Sequence, residues 1–224
     1  LKVNPKFVSQ VIQRSNMKTI LIAGTNGKTT TSKMITAILE RGGHKVLHND
    51  SGANLLNGIA STLITHSNTF GKLPYDYAIL EVDENTLPHL LKEITPDYLL
   101  LLNLFRDQLD RYGEVNTISK KWDESLKNLN KKTTLILNAD DPQIAFLGEK
   151  TNSKILYFGV DSKNKTEKVQ HASDSTNCPN CGKKLIYKSI YFSHLGDWSC
   201  ENCKLKRPTN IFTKTPFYPL PGAY

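Results

Sequence analysis

An apolar, β-branched run, Lys18-Thr-Ile-Leu-Ile-Ala23, passes directly into Gly24-Thr-Asn-Gly-Lys-Thr-Thr30. Behind it Met34, Ile35, Ile38 and Leu39 recur at helical spacing until Gly42-Gly43 closes the period. A buried strand, a glycine-bearing turn and a helix in that order form a βα unit, and a βα unit calls for a parallel sheet. The turn falls short of the full G-x-x-x-x-G-K-[ST] pattern, because Ile22 stands where the first glycine would be. What remains is Gly24-x-x-Gly27-Lys28-Thr29.

The rest of the chain repeats the alternation. Strands are expected at Lys45–His48, Tyr77–Val82, Tyr98–Leu102, Thr133–Leu137 and Ile155–Phe158. Helices are expected over 4–15, Asn54–Thr65, Asn85–Ile94 and 115–129, and one opening at Asp141-Pro142, an N-cap followed by proline at the first helical position. The fold class is therefore α/β, a doubly wound parallel sheet with flanking helices. The longest apolar run, Tyr98–Leu102, is far shorter than the roughly 20 residues of a membrane span. With no signal-peptide pattern either, the expected location is cytoplasmic.

A strand, glycine turn, Lys-Thr and helix is the physical recipe for holding nucleotide phosphates. Backbone N–H groups of Gly24, Thr25, Asn26, Gly27 and Thr30 would cradle oxygens, the helix N-terminus adds its positive end, and Lys28 adds a point charge. Thr29 would set its hydroxyl on Mg2+. A metal-holding carboxylate is needed nearby, and Glu81 stands at the carboxyl end of a strand, where α/β sheets bind ligands. Glu84, already in the turn, is the weaker candidate.

Four segments in order then resemble one family: Ala23-Gly-Thr-Asn-Gly-Lys-Thr-Thr30, Leu80-Glu-Val82, Asn103-Leu-Phe-Arg-Asp-Gln-Leu-Asp-Arg-Tyr-Gly113 and Leu137-Asn-Ala-Asp-Asp-Pro142. Together they look like the central domain of the Mur ligases. The resemblance implies that Lys28 and Glu81 serve catalysis, that Thr29 and Glu81 hold magnesium, and that Asn138 and Asp141 lie by the adenine and ribose of ATP. For Asp141 the helix N-cap stands beside that role. Asp50-Ser-Gly-Ala-Asn54, Glu81-Val-Asp-Glu84 and the cysteines described below narrow the likeness to the branch that amidates lipid II with ammonia from a glutaminase subunit. Gln108 stands where amino-acid-adding members carry a metal-binding histidine, and a neutral carbonyl is a weaker ligand. Asn54 matches a substrate-side or metal-side loop, with a plain helix N-cap as the competing reading. The carbamylated lysine of many members has no counterpart, since its register falls on Trp122 rather than on Lys120 or Lys121.

Cys178-x2-Cys181 and Cys200-x2-Cys203 are the chain's only cysteines, and their spacing fits a four-thiolate Zn2+ site. Two disulfides or a catalytic dithiol are the competing readings. Gly182 permits the first knuckle's turn, whereas the second pair carries Lys204 there, which leaves its geometry open. Leu185–Phe192 reads as a hairpin strand, and His194 as exposed. This zinc ribbon is expected to be an insertion spanning 161–215, after a leading helix (1–16) and an ATP-binding core (17–160), with 216–224 returning to that core. Lys-rich Asp161–Thr176 reads as its lead-in linker, and the C-terminal domain of a Mur ligase is expected to lie outside this chain. Twelve Lys/Arg against five Asp/Glu over 150–215 carry nearly all of the net +8. Such a basic face suits an anionic lipid or a membrane surface. Tyr187, Tyr191, Phe192 and Trp198, interleaved with lysines, are expected to cover the ribbon's own small core, so no nucleic-acid partner is expected.

The resemblance implies ATP-dependent amidation of the isoglutamate α-carboxylate of the lipid II stem peptide. The partner would be a GatD-like glutaminase forming a heterodimer, and the site of work the inner face of the membrane. An amino-acid-adding Mur or folylpolyglutamate-type ligase is one alternative, and a zinc-ribbon nucleotide-binding protein acting on nucleic acid is another.

Overall fold

The computed structural model describes residues 6–49, 52–105, 114–160, 176–209 and 211. Six parallel strands form the central sheet: β1 (Lys18–Ala23), β2 (Val46–His48), β3 (Tyr77–Val82), β4 (Tyr98–Leu101), β5 (Thr134–Asn138) and β6 (Lys154–Phe158). Their order is β2-β3-β1-β4-β5-β6. The order reverses between β1 and β4, so ligands belong in the crevice beyond the carboxyl ends of β3, β1 and β4. Register places Ile22 beside Glu81 and Ala23 beside both Val82 and Leu101, which brings the three strand ends level.

Alternation along each strand divides the core in two. Leu21, Ala23, Ala78, Leu80, Leu99, Leu101, Leu135 and Leu137 face one layer. That layer contains α1 (Phe7–Arg14), α3 (Leu56–His66), α4 (Leu87–Glu93), α5 (Glu114–Lys127) and α6 (Pro142–Gly148). Ile20, Ile22, Ile79 and Leu100 face the other layer, where α2 (Lys28–Arg41) contributes Ile35 and Leu39. Met34 and Ile38, of the same apolar period, are instead 61% and 68% exposed, because α2 turns only one of its apolar rows to the sheet. Among the described residues no helix is long and apolar enough to cross a membrane.

The cysteine module is a two-stranded antiparallel hairpin, β7 (Ile186–Phe192) and β8 (Leu195–Ser199), with a cysteine knuckle on either side. Leu-Gly-Asp-Trp-Ser is a poor strand by composition, and β8 exists because it pairs with β7. Trp198, almost fully buried, packs with Leu185, Cys178 and Cys200 against Ala145 of α6 and Tyr157 of β6. Its indole N–H donates to the carbonyl of Ala139 at 3.0 Å, and the N–H of Gly196 donates to Asp140 at 3.0 Å. Arg207 grips the Asp140 carboxylate through Nε at 2.7 Å and Nη2 at 2.6 Å. The module is thereby docked on the β5–α6 turn, at the ligand-binding edge of the sheet. Gln108, residues 161–175 of the expected linker and the return segment 216–224 lie outside the described residues.

Candidate functional site

The loop between β1 and α2 is shaped by two glycines. Gly24 has φ +145°, and a Cβ there would lie 2.9 Å from Leu102 Cβ and 3.0 Å from the Asn103 main chain, so only glycine fits. Gly27, at φ +86°, is the N-cap of α2 in the left-handed conformation. Asn103 braces the loop: its carbonyl accepts the Thr25 N–H at 3.0 Å, and its amide side chain exchanges hydrogen bonds with the Asn26 backbone at 2.9 and 3.0 Å. The opening amides of α2 have no partner one turn earlier within the helix, which leaves them suited to an anion.

Lys28 folds back over the loop. Its Nζ donates to the carbonyl of Gly24, to that of Thr25 at 3.3 Å and to Glu84 Oε1 at 3.3 Å. Glu84, the weaker candidate by sequence, is thus the lysine's counterion. Burial pushes its carboxyl above the ordinary value, with the Lys28 charge opposing. Thr29 donates its hydroxyl to Glu81 Oε2 at 2.7 Å, so the two expected magnesium residues meet. Ser32 donates to Glu81 Oε1 at 2.8 Å and His48 Nε2 lies 3.1 Å from the same oxygen. The Asn49 side chain fixes the Glu81 main chain by two hydrogen bonds. A carboxylate 2% exposed and held by hydroxyls is a hard-oxygen site of the kind Mg2+ takes, with Thr29 and Glu81 as the donors present.

Ser32, His48 and Asn49 are site residues that sequence reading missed. Ser32 lies one helical turn past Thr29, a spacing that could have revealed it. His48 ends β2 and Asn49 follows it, and neither carries a local signal. Asp83 is spent locally, accepting from the N–H groups of Asn85 and Thr86. Thr30 is exposed at the start of α2. Asn54 does not cap α3: the N-cap position is Leu55, without a side-chain hydrogen bond, and the Asn54 carbonyl accepts the Asp83 N–H at 3.0 Å. Trp122 is fully buried and donates its indole N–H to the Glu84 carbonyl at 2.8 Å.

Asn138 and Asp141 have structural partners at the end of β5. Asn138 donates to the Leu102 carbonyl at 2.8 Å and accepts from the Asp140 N–H at 2.9 Å. Asp141, fully buried, caps α6 by accepting from Gln143 N at 2.8 Å and Ile144 N at 3.3 Å. Its second oxygen accepts from Leu104 N at 2.9 Å and lies 3.2 Å from His194 Nε2. His194 is therefore not exposed, as its sequence setting suggested, but fully buried. The hairpin turn drives it inward under Phe105. For Asp140 burial raises the carboxyl above its usual range, with the Arg207 guanidinium opposing.

The four cysteine sulfurs lie within 4.8 Å of one another. Cys178–Cys203 and Cys181–Cys200 are each 3.5 Å apart, well beyond a disulfide bond. Thiolates around one tetrahedral Zn2+ at about 2.3 Å would stand roughly 3.8 Å apart, so the donor set and its spacing fit that ion. The two knuckles have the same main-chain design. Cys178 N donates to Lys183 O and Gly182 N to Cys178 O; Cys200 N donates to Leu205 O and Lys204 N to Cys200 O. Lys204 adopts φ +61° where Gly182 has φ +72°, so the turn that sequence left open forms without glycine. The Leu205 N–H draws the Cys203 thiol down to about 6 and the Lys183 N–H lowers that of Cys181, whereas burial raises Cys178 to about 12.

A family model of the Mur ligase middle domain matches residues 22–203. The MurT subunit of the glutamine-hydrolyzing lipid II isoglutaminyl synthase of Staphylococcus aureus (strain COL) is 36% identical over 205 residues, 92% of this chain and 45% of that protein. Its namesake from Streptococcus pneumoniae is 33% identical over 210 residues, 92% of this chain and 46% of its own length. The chain thus spans a little under half the length of these curated relatives. Among solved structures, a pseudomurein peptide ligase type C from Methanothermus fervidus aligns with a TM-score of 0.65 at 30% identity, over 87% of this chain and 37% of that one. MurF from Acinetobacter baumannii aligns at 0.55 and 23% identity, over 68% of this chain and 32% of its own, which shows the shared fold.

Proposed function

Since the chain belongs to the Mur ligase family through its middle domain, we propose that it is the ATP-binding part of a ligase subunit that amidates lipid II during peptidoglycan synthesis. The substrate group is the α-carboxylate of isoglutamate in the stem peptide. A carboxylate oxygen attacks the γ-phosphorus of ATP and ADP leaves; ammonia then attacks the acyl carbon and phosphate leaves, giving isoglutamine. The observation that carries this reading is the likeness to the MurT subunits across nearly the whole chain, with the phosphate loop and Glu81 within it.

Here the chain's own residues bind and orient. The opening amides of α2 and Lys28 would neutralise the transferring phosphoryl group, which is where positional catalysis of phosphoryl transfer acts. Lys28 must first leave Glu84, so nucleotide binding exchanges one anionic partner for another. Magnesium, held by Thr29 and Glu81, would supply further charge neutralisation on the phosphates. Asn138 and Asp141 would lie by the adenine and ribose, acting through the backbone they order at the sheet edge. Zn2+ on Cys178, Cys181, Cys200 and Cys203 would be structural, since four thiolates leave no open position.

Ammonia would come from a GatD-like glutaminase in a heterodimer, in keeping with the glutamine-hydrolyzing synthase to which the relatives belong. The complex would work in the cytoplasm at the membrane's inner face, where the basic stretch 150–215 meets the lipid diphosphate. The test is ADP release by the full-length protein with lipid II and Mg2+. Stimulation by ammonium, and by glutamine only with the glutaminase, is expected; stimulation by an amino acid in place of ammonium would replace this reading with an amino-acid-adding ligase.

A further inference from the structure

We propose that His194, at the tip of the β7–β8 hairpin, is a positioning residue for the phosphate loop, so that the cysteine module controls nucleotide affinity. The inference rests on the reading of the loop as an ATP site. Two contacts define the residue: Nε2 lies 3.2 Å from Asp141 Oδ2, and the ring centroid lies 4.5 Å from that of Phe105. Phe192 of the same hairpin adds a second ring at 5.9 Å from Phe105.

These contacts continue without a gap to the loop. Asp141 Oδ2, shared with His194, accepts the N–H of Leu104. The next residue, Phe105, donates its N–H to Thr25 Oγ1 at 3.0 Å, and that hydroxyl donates to the Phe105 carbonyl at 3.3 Å. Asn103, one residue before Leu104, holds the backbone of Thr25 and Asn26. Residues Asn103–Phe105 are therefore a strap clamped between the hairpin on one side and the phosphate loop on the other. Phosphate binding by backbone amides depends on their direction, and a small turn of the strap changes the direction of the amides it braces.

The choice of histidine is informative. With Nε2–H donating to Asp141, the fully buried Nδ1 has no hydrogen-bond partner among the described residues. An unsatisfied buried polar atom forfeits the hydrogen bonds it made with water, a loss that an aliphatic residue would avoid. A buried group retained at that cost calls for a role, and the donor to Asp141 supplies one.

Two variants of the full-length protein separate the role from mere packing. His194→Phe keeps a ring against Phe105 and loses the donor; His194→Gln keeps a donor within reach. Mg-ATP affinity is measured by calorimetry, with zinc content and melting temperature followed in parallel. The phenylalanine variant is expected to retain its zinc and bind Mg-ATP at least about fivefold more weakly, raising KM for ATP more than it lowers kcat, while glutamine restores most of the loss. A folded phenylalanine variant with native affinity overturns the proposal.

The native protein provides a second measurement that needs no variant. Coupling is reciprocal, so if the docked hairpin favours Mg-ATP, saturating Mg-ATP favours docking and is expected to slow hydrogen exchange at Gly196, whose N–H donates to the Asp140 carbonyl. Unchanged exchange there at saturation overturns the proposal as well. Failure of the native protein to bind Mg-ATP at all would instead defeat the ATP reading on which it rests.

Discussion

Asp141→Ala removes one carboxylate that four donors share. Losing the cap of α6 costs about 1 kcal/mol. The buried N–H of Leu104 and Nε2 of His194 are left without an acceptor, at about 1–3 kcal/mol each. Near the middle of these ranges the loss is about 5 kcal/mol, or roughly 10–20 °C in melting temperature for a chain of this size. Asp141→Asn keeps the capping oxygen and sets an amide N–H against Leu104 N–H. His194 can accommodate that amide by carrying its proton on Nδ1, so the expected cost is smaller, about 2 kcal/mol. Thermal unfolding of the chain by circular dichroism and calorimetry measures both, with coincident transitions as the check on two-state behaviour. Alanine and asparagine variants melting within a degree or two of the native protein would refute the four-donor account.

Three further outcomes are expected. Glu81→Gln should change stability little, because Thr29 Oγ can accept where it now donates, yet it should weaken Mg-ATP binding about tenfold while sparing metal-free ATP; calorimetry with and without Mg2+ decides, and an unchanged metal dependence would remove Glu81 from the metal. Lys204→Gly should stabilise by up to about 1 kcal/mol by relieving a left-handed lysine, whereas Gly182→Ala should cost about 1–2 kcal/mol; urea titrations that gave both the same sign would contradict the matched-knuckle geometry. Burial raises the Glu84 carboxyl in the folded state, so the native protein holds that proton more firmly than the unfolded chain, and stability from this source is full below the ordinary glutamate value and lost as pH rises through the folded one. Glu84→Gln, which never ionises, should therefore gain stability relative to native protein as pH rises from about 4 toward neutrality, and the opposite slope would refute the burial argument.

The central sheet was legible because its strands are short apolar runs flanked by helical periods, a pattern that local chemistry fixes. The phosphate loop was legible for the same reason: Gly24 sits where only glycine fits, and Gly27 where a left-handed backbone favours it. Four cysteines at ribbon spacing announced their own convergence. What sequence could not show were contacts made across the fold. His48 reaches Glu81 only because β2 pairs with β3, and Glu84 meets Lys28 only because β3 ends level with β1. His194 reads as a polar turn residue until the hairpin docks on the β5–α6 turn and buries it. β8 was invisible because its strand state comes from pairing and from the Trp198 anchor rather than from composition. Met34 and Ile38 fit a helical period and are nonetheless exposed, since periodicity marks the apolar positions without saying which of them a single sheet face will cover.

The proposed reaction is amide synthesis from ATP and ammonia at this site. Its most direct test incubates the full-length protein with lipid II, ATP, Mg2+ and ammonium, and reads the stem peptide by mass spectrometry. One acid converted to an amide for each ADP formed is expected, and neither product with Lys28→Ala. A stem peptide heavier by an amino-acid residue when amino acids replace ammonium, or unchanged while ATP is consumed, would contradict it.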